Sequence, residues 1–246
     1  MFNAKIEINE SKLKIVSDIN TDFLEDYILN ERNQLNSYCK RNSYFFKSHT
    51  PVEVEEGPKI AKIMSKSGEI AKIGPMGAVA GTISELCLDQ LIAKGSSYSL
   101  INNGGDIAFI NKNKDKNIIC GIYAGNSAIS GKIAFKFKKS NKSYGVCTSS
   151  GTVGYSFSYG KADAVSIIAN KASIADALAT SIGNAVQGKK EEIAIEKGLE
   201  KAKEFKKHFI GGIIIVNNSI GTIGKIPELI AIEKGDLKEF SKDTIN

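Results

Sequence analysis

Residues 98–111 read Tyr98-Ser99-Leu100-Ile101-Asn102-Asn103-Gly104-Gly105-Asp106-Ile107-Ala108-Phe109-Ile110-Asn111. Two short apolar runs, 98–102 and 106–111, flank an Asn-Gly-Gly turn whose glycines accept positive φ, which is the pattern of paired strands. Further runs at 117–123, 132–138 and 143–147 are separated by Gly, Asn, Ser and Lys turns. Such spacing predicts an antiparallel meander.

Working outward, Lys5-Ile6-Glu7-Ile8 and Lys12-Leu13-Lys14-Ile15-Val16 alternate around Asn9-Glu10-Ser11, predicting an opening hairpin. Residues 22–40 carry helical apolar spacing, and a loop containing Pro51 and Pro58 follows. A helix over 60–73 must break at Gly74-Pro75-Met76-Gly77, and a second apolar helix runs from 78 to about 93. Gly77 and Gly81 there flank a small-residue surface suited to close backbone approach. After the meander come an apolar strand at 163–169, a small-residue helix at 173–186 and a charged amphipathic helix at 189–205. Strands at 209–216 and 220–225 close the pattern. No low-complexity linker divides the chain, so the expectation is a single α+β domain over 1–246, with helices packed on antiparallel sheet.

Composition narrows the function. The 246 residues are 42% hydrophobic, with 33 basic against 27 acidic residues and a net charge of +6. No apolar run approaches the roughly 20 residues of a bilayer span, and the N-terminus alternates charge with apolar residues, so a cytoplasmic protein without membrane contact is expected. Cys39, Cys87, Cys120 and Cys147 form no Cys-x-x-Cys pair, which excludes a zinc ribbon and a thioredoxin motif. The alternating Lys132-Ile133-Ala134-Phe135-Lys136-Phe137-Lys138-Lys139 reads as a strand with a solvated face. It lacks a base-stacking platform, and no nucleic-acid partner is expected.

Several segments could carry chemistry. Asn103, Gly104, Gly105 and Asp106 can expose backbone N–H groups to an anion, or simply make a hairpin turn. Thr148-Ser149-Ser150-Gly151-Thr152 offers hydroxyls and amides to a phosphate, or is an ordinary polar loop. Gly154 to Gly160 followed by Lys161 has five residues between its glycines and Ala162 after the lysine, so it is not a Walker A loop. His49 and His208 cannot make a His-rich metal cluster and read as structural or solvent-facing. Cys147, at a strand end beside the hydroxyl loop, is the one thiol whose setting suggests reactivity. In Ala175-Asp176-Ala177-Leu178-Ala179-Thr180, a carboxylate and a hydroxyl stand four residues apart on one helical face. They can grip one hard cation, or satisfy neighbouring groups in a packed core.

The ordered set Gly-Pro-Met-Gly-Ala-Val-Ala-Gly at 74–81, Asn-Gly-Gly-Asp at 103–106, Cys-Thr-Ser-Ser-Gly at 147–151 and Ala-Asp-Ala-Leu-Ala-Thr at 175–180 resembles the ApbE superfamily, in particular its short uncharacterised branch from archaea and anaerobic bacteria. That family comprises FAD-dependent, magnesium-using transferases that move FMN onto a Ser or Thr of a partner protein. The resemblance implies FAD and Mg2+ as cofactors, Asp176 and Thr180 as metal ligands, and Asp176 with Cys147 as candidate catalytic groups. By the same resemblance Asn103, Gly104, Gly105 and Asp106 lie beside a flavin nucleotide, and Thr148, Ser149 and Ser150 line its phosphates. The transferases' His-Ile-x-Asp-Pro-x-x-Gly segment has no counterpart: residues 155–163 contain neither His nor Pro. The expected function is therefore an ApbE-related pocket for a flavin nucleotide or other small anionic metabolite. The alternative is an accessory or sulfur-handling protein of sulfide-dependent homocysteine biosynthesis in anaerobes. A protein partner in sulfur or flavin transfer is implied in either case, with homo-oligomerisation left open.

Overall fold

The computed structural model describes residues 1–151 and 160–232. Its chain order begins β1 (Phe2–Ile8), β2 (Ser11–Ser17), α1 (Leu24–Arg41), α2 (Ser43–Lys47), α3 (Lys59–Ala71), a 3-10 turn (Pro75–Ala78) and α4 (Val79–Ala93). It continues through β3 (Tyr98–Asn103), β4 (Asp106–Asn111), β5 (Ile118–Gly121), β6 (Ile133–Phe137), β7 (Ser140–Ser149), β8 (Ala164–Ala169), α5 (Ala172–Ala185), α6 (Glu191–Lys203), β9 (Gly211–Val216), β10 (Ser219–Gly224) and β11 (Glu228–Ala231). The α+β architecture with helices on antiparallel sheet is as the patterning predicts.

The main sheet has eight strands in the order β1-β2-β3-β4-β7-β8-β9-β10, every neighbour antiparallel. The meander is correct for β3 and β4 but breaks after Asn111, which pairs directly with Ser140 of β7. The intervening β5 and β6 leave the sheet and form a three-stranded sheet with β11, a strand the sequence pattern does not announce. Helix α2 likewise stands where a loop is expected, its Phe45 buried and in edge-to-face contact with Tyr38.

Three layers result, and they explain the apolar runs. One face of the main sheet, carrying Ile15, Ile101, Ala108, Ile110, Cys147, Ile167 and Ile214, packs under α1, α3, α4 and α5. The opposite face, carrying Leu100, Phe109, Val146, Ile168 and Ile215, packs against Ile118, Cys120, Phe135 and Phe137 of the small sheet. Strands covered on both sides have no polar face, and β8 and β9 are buried at every position. The face read as solvated over residues 132–139 is so at its ends, where Lys132 and Lys138 are exposed, but Ala134 between them is fully buried and half-buried Lys136 is paired with Glu228.

The membrane expectation also needs adjustment. Residues Pro75–Ala93 form a helical stretch with a mean hydropathy of 1.2 over 18 residues, long and apolar enough to cross a membrane by composition. In the fold it lies against the sheet with 56% of that window buried, and it carries a buried glutamate, Glu85, which are features of a core helix.

Candidate functional site

The site is built where the first turns of α4 and α5 cross. Helix α5 is mostly Ala, Ser and Gly, and apart from Leu178 and Ile182 its buried residues are small, so the two backbones approach closely. At Gly81, a Cβ would lie 2.4 Å from the Ala172 carbonyl oxygen and 2.6 Å from Asp176 Cβ. Nothing but glycine fits there without moving a helix. The small-residue surface expected at Gly77 and Gly81 is thus the seat of α5.

This contact delivers Asp176 to the N-terminus of α4. Asp176 Oδ2 accepts the Gly81 N–H at 2.8 Å, and the Ala80 N–H supports it as well. A carboxylate there meets two of the orphan donors of the helix and the positive end of its dipole. One turn further along α5, the Thr180 hydroxyl faces the Gly77 carbonyl at 3.4 Å. From the sheet, Asp106 opens β4 beside Cys147 of β7, because Ile107 pairs with Val146. Its carboxylate accepts from the Thr148 N–H and lies beside the Cys147 thiol, while its backbone carbonyl accepts the Ser84 hydroxyl of α4 at 2.7 Å.

Two carboxyl groups are therefore close enough for the charge of Asp106 to act on Asp176. Both residues keep some contact with solvent, but dense surrounding protein pushes the Asp106 carboxyl up to about 7 despite its hydrogen bonds. Burial and then the Asp106 charge push Asp176 well above the usual carboxylate range, against the pull of the Gly81 and Ala80 amides. Among the described residues, neither makes an ion pair with Lys, Arg or His. Cys147 is fully buried near both and donates to the Ala172 carbonyl at 3.2 Å. Burial, the Asp106 charge and the Asp176 charge all hold its thiol protonated.

The other sequence-predicted residues divide. Asn103, 5% exposed, joins the site from β3: its Nδ2 donates to the Ala80 carbonyl and its Oδ1 accepts the Lys12 N–H. Gly104 and Gly105 make the hairpin turn, at φ +66° and +109°, and the Gly105 N–H is taken by the Asn102 side chain. Ser149 shares the helix-facing parity of Cys147 and lies near Gly183 of α5. Thr148 points to the opposite face, where its hydroxyl bonds Ser166 at 2.7 Å; it contributes to the site only through its amide. Half-buried Ser150 ends the segment just beyond β7. His208 is exposed on the surface, as expected, and His49 is also exposed. Thr152, residues 155–159 and most of the Gly154 to Gly160 segment lie outside the described residues.

Sequence reasoning missed Glu85. It is 6% exposed, and its Oε2 accepts the Ser173 N–H at 3.1 Å and the Ser173 hydroxyl at 2.7 Å. Lys171 Nζ stands 3.2 Å from the other oxygen. The available signal was the pair Glu85 and Asp89, two carboxylates one turn apart in a helical run without a basic residue, which must find partners if buried.

These motifs stand in a chain that matches a family model described as AbpE bacteria over residues 3–210. The chain belongs to that family. Its sequence relatives include the UPF0280 protein of Methanothermobacter thermautotrophicus, 44% identical over 95% of this chain and 91% of that protein. A UPF0280 protein of Methanocaldococcus jannaschii is 45% identical over 95% of each chain. Among solved structures, the fold is similar to the flavin transferase ApbE from Vibrio cholerae, with a TM-score of 0.58 at 13% identity, covering 92% of this chain and 97% of that one. The ApbE protein of Thermotoga maritima matches with the same TM-score and identity over 89% and 96%. At such low identity the likeness is one of fold.

Proposed function

We propose that this AbpE-family protein binds a flavin nucleotide or a related anionic metabolite through a divalent cation held between α4 and α5. The observation that carries this reading is the pair of half-buried carboxyl groups, Asp106 and Asp176, brought from β4 and α5 within reach of each other's charge without a cationic partner among the described residues. Each charge is costly beside the other, and a divalent cation removes the cost for both. The donor set fits magnesium: the Asp106 and Asp176 carboxylates and the Thr180 hydroxyl are all oxygen, with the Gly77 carbonyl beside them. Among the described residues no group of three or more His, Cys, Asp or Glu is placed for a metal, so phosphate oxygens and water would have to supply the remaining ligands.

When bound, such an ion stabilises negative charge on a phosphate oxygen. The chain's own residues supply the orientation. The α4 amides of Gly81 and Ala80 hold Asp176 in one rotamer. Asn103 ties the Ala80 carbonyl to β2, so the end of α4 is pinned to the sheet. Ser84 and the Thr148 amide fix the start of β4 and its carboxylate. Cys147 does not act as a nucleophile in this reading, because its thiol is inaccessible and kept neutral. Covalent FMN transfer is no part of the proposal, given the missing histidine segment.

Calorimetry of FAD binding in reducing buffer, with and without magnesium, tests the reading. The expected result is magnesium-dependent micromolar binding that is lost in Asp176→Ala. Binding that is indifferent to magnesium or to this substitution refutes the cation assignment, and no binding in either condition removes the flavin.

A further inference from the structure

We propose that Glu85 is a positioning residue for the cation site, an inference that rests on the reading of Asp176 and Thr180 as cation ligands. Glu85 lies in the middle of α4, yet its carboxylate closes the N-terminus of α5 by accepting both the amide and the hydroxyl of Ser173. A buried carboxylate is retained at a cost unless its oxygens are paired. Here one oxygen is spent on Ser173 and the other on Lys171, which also reaches Asp89 at 3.5 Å.

The geometry makes this an adjustment of the site rather than a remote brace. Contacts between the helices run Glu85 to Ser173, Gly81 to Asp176 and Gly77 to Thr180. They step four residues at a time along α4 and the 3-10 turn before it, and three or four along α5, which is one face of each of two antiparallel helical stretches. Asp176 of α5 caps α4, and Glu85 of α4 caps α5. Each helix therefore fixes the other's first turn. Ser173 and Asp176 belong to adjoining turns of one rigid helix, so the rotational setting enforced at Ser173 is the setting at which Asp176 meets the Gly81 amide and Thr180 faces Gly77. Removing the Glu85 carboxylate frees the start of α5 to rotate or slide against α4, and both proposed ligands move with it.

The test is Mn2+ affinity, read by the paramagnetic resonance of the free ion, on full-length wild type, Glu85→Leu, Glu85→Gln, Ser181→Ala and Asp176→Asn. Ser181 donates to the Ala71 carbonyl from the far half of the same helix, so its variant controls for lost stability alone. The expected pattern is an affinity about 10-fold weaker in Glu85→Leu, the usual scale when a group that orients a metal ligand is removed. Glu85→Gln, which keeps an acceptor for Ser173, should recover most of that loss, and Ser181→Ala should bind as wild type. Wild-type affinity in folded Glu85→Leu, or an equal loss in Ser181→Ala, overturns the positioning role and leaves the cation reading standing. Absent binding in wild type, or unchanged binding in Asp176→Asn, overturns the cation reading and this inference with it. If Glu85→Leu does not fold, Ser173→Ala replaces it, with weaker affinity expected and wild-type affinity again decisive against the role.

Discussion

Gly81→Ala adds one methyl group at the crossing of α4 and α5. In an ordinary exposed helix interior this change stabilises by roughly 0.5–1 kcal/mol, because alanine loses less backbone entropy. At Gly81 the new Cβ stands 2.4 Å from the Ala172 carbonyl oxygen and 2.9 Å from its carbon. These are backbone atoms and cannot rotate aside. Reaching ordinary contact at 3.4 Å requires the helices to part by about 1 Å, an overpacking that costs about 1–3 kcal/mol or more. The propensity gain offsets only part of this, so a net destabilisation of about 1–2 kcal/mol is expected, a sizeable share of a typical domain's stability. Because the same 1 Å separates the Gly81 N–H from Asp176 Oδ2, now 2.8 Å apart, divalent-cation affinity should fall as well. Urea denaturation reads the first effect as a lower midpoint at unchanged slope, and Mn2+ titration reads the second. A variant as stable as wild type, or more stable, with unchanged Mn2+ affinity would refute the packing argument and the placement of the site on this contact.

Two further predictions concern titration and thiol access. Asp106 is pushed up to about 7 and Asp176 is raised as well, whereas an unfolded aspartate titrates near about 3.9. Between those values the native state binds more protons than the unfolded state, so this pair contributes stability that is complete below pH ~4 and is lost as pH rises through ~7. The metal-free protein in chelator should therefore melt lower at pH 8 than at pH 5.5, with Mn2+ reversing much of the loss at pH 8; a melting point that rises over that interval without metal contradicts the assignment. Iodoacetamide labelling read by mass spectrometry should leave buried Cys147, Cys87 and Cys120 unmodified in the native state, with Cys39 the more exposed thiol, and label all four on unfolding. Native labelling of Cys147 at the rate of a free thiol would restore it as a candidate for sulfur chemistry.

The elements that the sequence determined by itself are those whose signal is local. Alternation around Asn9-Glu10-Ser11, the Asn-Gly-Gly turn and the Gly-Pro break before α4 are each set by a few neighbouring residues, and the elements stand within a few positions of expectation. The motif set also carried the family, because it places rare residue combinations in order along the chain. Tertiary structure alone decided the departure of β5 and β6 from the sheet. Their apolar runs look like any others in the pattern, and only the direct pairing of Asn111 with Ser140 expels them to cover the far face. It likewise separated Thr148 from Ser149: the two are adjacent in sequence, but the strand pleat turns one toward Ser166 and the other toward α5. The site itself depends on distances between residues far apart in the chain. Gly81 and Asp176 are 95 residues apart and Glu85 and Ser173 are 88 apart; no periodicity encodes either pairing. Helical spacing showed that Asp176 and Thr180 share a face. That the charge of Asp106 reaches Asp176, and that the Glu85 carboxylate caps their helix at Ser173, follows only from the register in which α4, α5 and the sheet pack.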